Sequence, residues 1–392
     1  MHSEKLDENR LKLTSFVTLL MGFSQAMLVY IMSSYFELSS GIENIGVFYG
    51  FSYVVFLFVL LNFHKLVRIG GKSNIFYFSL LAKIIALTML VLMGPSKASV
   101  ALMMLYIILG HIEWVALDAI VESFSVDKKS GRIRGLHLTI VNAGFMFGPF
   151  ISMDILEKMG FHGVFMLALV FNCFVFIFSL IGFRSVNHRF DQKLKFVDII
   201  KKVIVRKNIM RIYYIAFALD FFYAVMTIYA PIYLQGLGYS WEKIGIIFTI
   251  MLIPFVLVQY PMGVLADKRT GEKEFIIFSL LIMAVSTISV YFIGTGTVFL
   301  WAVILFFTRI GAALLEILRD SYFFKKVDAY DVDIIGFFRT SLPMAYIAAT
   351  MFCTLTLFFL SIKFTFILAG IVTLSALYPA FKLVDNKSEK ET

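Results

Sequence analysis

The chain has 392 residues, 60% of them hydrophobic and only 16% charged, with a mean hydropathy of +0.88. Soluble domains carry about 25% charged residues, so a soluble globular fold is excluded, and the formal net charge of +9 calls for either an anionic partner or a topological cause. Two cysteines, Cys173 and Cys353, both inside apolar runs, rule out a disulfide framework and a Cys-rich zinc site. The six histidines, at 2, 64, 111, 137, 162 and 188, show no metal-ligand spacing, and neither metal nor cofactor is expected.

A membrane span needs about 20 mostly apolar residues. In chain order the candidates are 13–36, 44–64, 74–94, 98–122, 135–157, 161–183, 209–234, 241–262, 274–294, 298–322, 333–358 and 362–383, twelve in all. They read as helices because backbone groups cannot stay unpaired in lipid. The polar opening MHSEKLDENRLK leads into a run too long for a signal-peptide core and reads as a cytoplasmic tail. With the N-terminus inside, 27 of the 35 Lys and Arg fall on the inner side. Only Lys97, Lys158, Lys243 and Lys363 fall outside, while Lys83, Arg309, Arg319 and Arg339 lie within or at the ends of spans. This bias places both termini in the cytoplasm and the protein in the plasma (cytoplasmic) membrane. It also accounts for the net charge without nucleic acid.

Residues 184–208 form the longest polar piece and divide the chain into a unit at 1–183 and a unit at 209–392. Within it Phe196, Ile199, Ile200 and Val203 recur at helical spacing opposite Lys201, Lys202 and Arg206. The pattern fits an amphipathic helix on the anionic inner leaflet and equally a plain basic linker. The two units repeat each other. A shift of 198 carries His111, Asp118, Glu122 and Ser123 onto Arg309, Glu316, Asp320 and Ser321, and a shift of 199 carries Ile45-Gly46 onto Ile244-Gly245. Units of six helices keep the second copy in the same orientation, whereas odd-numbered units invert it.

Six plus six parallel helices resembles the architecture of the major facilitator superfamily, and a loop motif agrees. "GVLADKRTGEKEF" at 263–275 is similar to that family's G-x-L-A-D-R-x-G-R-K, with Gly263, Leu265, Ala266, Asp267, Lys268, Gly271 and Lys273 in matching roles. One residue is inserted before Gly271, Glu272 replaces a base, and the corresponding first-half loop, "KLVRIGGK", has no acid. The resemblance implies an inner latch in which Asp267 meets the amino end of the fifth span, with Arg132 and Arg134 as its partners. Gly144, Gly148 and Pro149 match the G-x-x-x-G-P core of an exporter motif, without its following glycine pair. Physically the glycines clear a face for close packing and the proline kinks the helix, so packing and an antiport signature both stand.

Ionisable groups in hydrocarbon are candidate functional groups. His111, Asp118 and Glu122 lie on one helical face, repeated by Arg309, Glu316 and Asp320. The resemblance implies that spans one, four, seven and ten line a central cavity, which would take His111, Asp118, Arg309, Glu316 and Gln25. Lys83 and Glu113 lie at similar depth and read as a structural ion pair. Asp220, among Phe217, Phe221, Phe222 and Tyr223, has no counterpart acid and reads as the proton-coupling residue, unless Arg309 pairs with it. Arg339 lies at the depth of Glu316 and could close an inner gate with it.

The expectation is an all-α transporter working by alternating access, a monomer that exports a small amphipathic or cationic organic molecule in exchange for protons. An importer or facilitator of a small metabolite or sugar, and a lipid-moving relative, are the alternatives. An enzyme is not expected: Asp118 and Asp220 lack the G-x-G-D context of membrane aspartyl proteases, and no G-x-x-x-x-G-K-[ST] loop is present.

Overall fold

The structure, a computed structural model, describes residues 8–124, 130–182, 202–265, 271–327 and 332–384. Among these residues every regular element is helical: α1 (Glu8–Val29), α2 (Met32–Ser40), α3 (Gly46–Leu61), α4 (Phe63–Gly70), α5 (Lys72–Met93), α6 (Lys97–Phe124), α7 (Ser130–Gly182), α8 (Lys207–Gly236), α9 (Trp241–Leu257), α10 (Gln259–Leu265), α11 (Lys273–Ser289), a single 3₁₀ turn (Val290–Phe292), α12 (Val298–Lys326), α13 (Val332–Phe338), α14 (Ser341–Phe359), α15 (Phe364–Ser375) and α16 (Leu377–Phe381). Eight stretches are long and apolar enough to cross a membrane. Two bent pairs, Leu13–Val29 with Met32–Ser40 at 43° and Gly46–Leu61 with Phe63–Gly70 at 59°, raise that number to ten. Outward-facing apolar side chains such as Phe359 and Leu92, 85% and 79% exposed, suit hydrocarbon and not water.

The helix breaks follow from backbone chemistry. Gly160 takes φ +67° inside α7, in the left-handed region that only glycine enters cheaply, and divides the run near where a connection was expected. Three other breaks lie four residues before a proline, whose missing N–H cannot bond the carbonyl there. Pro261 fails to bond Leu257, where α9 ends; Pro343 fails Arg339, just past the end of α13; Pro379 fails Ser375, where α15 ends. Pro149 behaves otherwise. Helical φ/ψ is kept through it, the break falling at Gly160 instead, so the expected Pro149 kink is not where the chain parts.

Gly144 and Gly148 set the packing of α7 on α1. A Cβ at Gly144 would lie 2.6 Å from the Leu19 carbonyl, and one at Gly148 would overlap the Ala26 Cβ. Close approach of two backbones is therefore the role this structure gives to Gly144 and Gly148.

The halves on either side of 184–208 meet closely at the end carrying the short connections 41–45, 158–160, 237–240 and 360–363. Ser34 donates to Gln235 at 2.7 Å, Thr354 donates to Asn44 at 3.0 Å, and the Trp241 amide donates to Glu157 at 2.9 Å. Gly46 lies so near Thr350, Thr354 and Tyr229 that a Cβ would stand 2.7 Å from the Tyr229 hydroxyl. Mid-way along, Tyr30 packs on Phe248 and Tyr53 stacks on Tyr346, with ring centroids 4.8 and 4.1 Å apart.

Candidate functional site

Polar side chains gather in the middle layer between the halves. His111 of α6 shares a 2.9 Å hydrogen bond with the Tyr53 hydroxyl and stacks on Phe56. Gln25 of α1 accepts from the Trp114 indole N–H at 3.2 Å. Both are half-buried. Opposite them, Arg309 of α12 is 1% exposed, its Cζ standing 5.1 Å from the Phe222 ring centroid and 5.6 Å from that of Tyr223. The Arg309 Nε and Nη2 have no hydrogen-bond acceptor among the described residues.

Two turns further along α12 lies Glu316, half-buried. Its Oε2 accepts from the Gln259 amide at 2.7 Å, and Gln259 Oε1 accepts from Asn142 Nδ2 at 2.8 Å. The chain Asn142–Gln259–Glu316 thus ties α7 of the first half to α10 and α12 of the second. No ion-pair partner of Glu316 lies within bonding distance among the described residues; a neutral amide bonds it directly, and Arg319 acts on it from farther off.

Asp220 is not the isolated acid that the sequence suggests. Its Oδ1 lies 3.1 Å from Arg319 Nη1, and its Oδ2 accepts from the Ser341 hydroxyl at 2.8 Å. Arg319 also lies 3.3 Å from Asp320. Asp220 was expected to stand alone, with Arg309 as the alternative partner; the structure pairs it with Arg319. Arg339 likewise departs from expectation. It stands at the break between α13 and α14 and pairs, at 3.9 Å, with the half-exposed Asp118 across the interface, not with Glu316. Lys83 and Glu113 do pair, both buried, inside the first half.

Of the loop motif, Gly271 takes φ +72° at the turn into α11, as its place in the motif requires. Lys273 opens α11 and Gly263 lies in α10. Asp267 and Lys268 lie outside the described residues, as do the side chains of Arg132 and Arg134. Glu272, the departure from the motif, is fully buried; it accepts from Ser321 at 2.7 Å and pairs with Lys325 at 2.6 Å. The sequence reading passed over Asn142 and Gln259. Lone amides inside apolar runs ("TIVNAG", "VLVQYP") were the available signal, since a buried amide needs a partner.

The profile of the Major Facilitator Superfamily matches residues 14–330. The chain belongs to this superfamily. It is therefore a multi-pass membrane protein of a transporter family, whose members are generally not enzymes. A comparison with curated proteins found no match. Within the superfamily member described above, the middle layer holds His111, Gln25, Arg309 and Glu316 between the halves. Asp220 sits in a compensated cluster with Arg319, and Asp118 meets Arg339 toward the end opposite the short connections.

Proposed function

We propose that the protein is a secondary active transporter of two parallel six-helix halves that works by alternating access, exporting a small amphipathic organic molecule in exchange for protons. The observation that carries this reading is the Asn142–Gln259–Glu316 chain. It joins the halves at the Asn142–Gln259 bond, and the Gln259 amide is held in turn by a carboxylate that has no ion-pair partner among the described residues. Protonating Glu316 turns a charged acceptor of the Gln259 amide into a weaker neutral one, which frees Gln259 to shift and loosens its bond to Asn142 across the halves. Groups able to sense or bias that proton are Arg319, Asp320, Asp220 and Tyr223, all within electrostatic reach. A buried carboxylate of this kind is the sort of group that coupling needs. The distribution of Lys and Arg supports both termini on the cytoplasmic side of the plasma membrane. A lone Asp220 would have favoured a cationic substrate, and its Arg319 partner removes that one ground.

The test uses proteoliposomes with an imposed pH gradient, screened against a chemically broad panel. Glu316→Gln should abolish gradient-driven accumulation and leave exchange at equal concentrations running. Uphill transport at the wild-type rate in Glu316→Gln would rule out this carboxylate as the coupling group.

A further inference from the structure

Arg309 is a cation buried in the middle layer with one edge of its guanidinium unused. Among the described residues no carboxylate pairs with it, and Glu316 lies two turns along the same helix, about 10 Å by helical rise. The ring faces of Phe222 and Tyr223 compensate part of the charge. They leave the Nε and Nη2 hydrogens without acceptors. These two nitrogens form the same side of the planar group, and their N–H bonds run parallel in the fork geometry that matches the two oxygens of a carboxylate. A second unused polar atom lies within electrostatic reach of Arg309, since the Tyr223 hydroxyl is also buried without a partner among the described residues. Tyr30, at the break between α1 and α2, lies within electrostatic reach of Arg309 from the other half and packs on Phe248. Aromatic side chains of both halves thus lie near Arg309, two of them with their rings against its guanidinium.

Leaving a buried guanidinium edge unsatisfied is costly in the resting protein. That cost is removed when an anion occupies the edge, so the arrangement favours binding of a planar oxyanion over a neutral or cationic group. We infer that Arg309, assisted by the Tyr223 hydroxyl, binds a carboxylate on the transported molecule, whose apolar part lies against Phe222, Tyr223 and Tyr30. The inference rests on the transporter reading and gives its substrate a chemical class. Arg309 acts here as a substrate-binding residue, while Glu316 remains the proton-carrying one.

The experiment titrates purified protein in detergent at pH 7 with benzoate, benzyl alcohol and benzylamine, one skeleton with an anionic, a neutral and a cationic head. Melting temperature is the readout, and phosphate and methanesulfonate are added as non-planar anions. Benzoate should stabilise the wild type at concentrations about tenfold lower than the alcohol or the amine, in keeping with hydrogen bonds to a charged group. Arg309→Lys keeps the charge and loses the fork, and should bring benzoate down to the level of the alcohol; Arg309→Gln should do the same. Tyr223→Phe should weaken benzoate by a smaller factor. Equal response to the three heads, or a benzoate preference that survives in both Arg309 variants, overturns the inference. A stronger response to phosphate or methanesulfonate overturns the assignment to a carboxylate. If neither Arg309 variant yields folded protein, Tyr223→Phe decides, and an unchanged benzoate response there counts against the site. No proton gradient enters these measurements. Failure of the Glu316→Gln transport test therefore leaves the anion site standing, and the converse also holds.

Discussion

At the scale of single residues, the acids of this protein divide by what compensates them. Asp220 has a guanidinium and a hydroxyl; Glu113 has Lys83; Glu316 has an amide. A buried ion pair broken on one side typically costs about 3–5 kcal/mol, whereas replacing both partners with apolar groups of similar volume is often neutral. Lys83→Met and Glu113→Met should each lower the melting temperature strongly, and the double variant should recover most of the loss. If the two single effects simply add in the double variant, the pair carries no mutual stabilisation. The sequence made the Lys83–Glu113 pair legible because both lie at the same count from a span end. The same counting missed Asp220–Arg319. The apolar runs put Arg319 at the inner end of the tenth span, at 298–322, and Asp220 well inside the seventh, at 209–234. An arginine stem also reaches roughly a helical turn along its own axis, so matching depth by Cα position misplaces its charge.

At the scale of elements, the helices were legible and their interruptions were not. Runs of apolar residues located the bundle to within a few residues, because hydrocarbon thickness fixes span length. The breaks at Leu257, Arg339 and Ser375 depend on a proline four residues later, a local rule that hydropathy does not see. Pro149 shows why the rule alone would not suffice, since α7 runs through it while packed against α1. That packing makes a prediction. Gly148→Leu forces a side chain into space held by Ala26, and overpacking of this kind costs about 1–3 kcal/mol. Lower yield and a lower melting temperature are expected, measured against Gly236→Ala, where an added Cβ meets nothing within 4 Å. Wild-type stability in Gly148→Leu would mean that the two helices are not locked at this crossing.

At the scale of the whole molecule, the two halves are hydrogen-bonded at one end, while toward the other the polar links among the described residues include Asp118–Arg339 and Asn142–Gln259. Alternating access requires the first set of contacts to break in every cycle. Asn44→Cys with Thr354→Cys, placed in a Cys173→Ser, Cys353→Ala background, should be bridged by a short bifunctional thiol reagent, because the native side chains touch at 3.0 Å. Bridging should stop transport and reduction should restore it. Transport continuing at full rate in completely bridged protein would show that this end need not open. The long-range pairings themselves, such as Ser34 with Gln235, were beyond reading from the sequence. Nothing in local composition states which surface of one half meets which surface of the other.

The unused edge of Arg309 also has an electrical consequence. A carboxylate carried out while one proton comes in moves two elementary charges in the same direction per cycle. Each charge crossing a membrane potential of 100 mV corresponds to about 2.3 kcal/mol, so such an exchange gains about 4.6 kcal/mol per 100 mV before any pH difference is counted. A transporter built around this arginine would draw on voltage more than on acidity. Its currents in a planar bilayer should reverse at a potential that shifts with substrate concentration even when the two sides are held at the same pH.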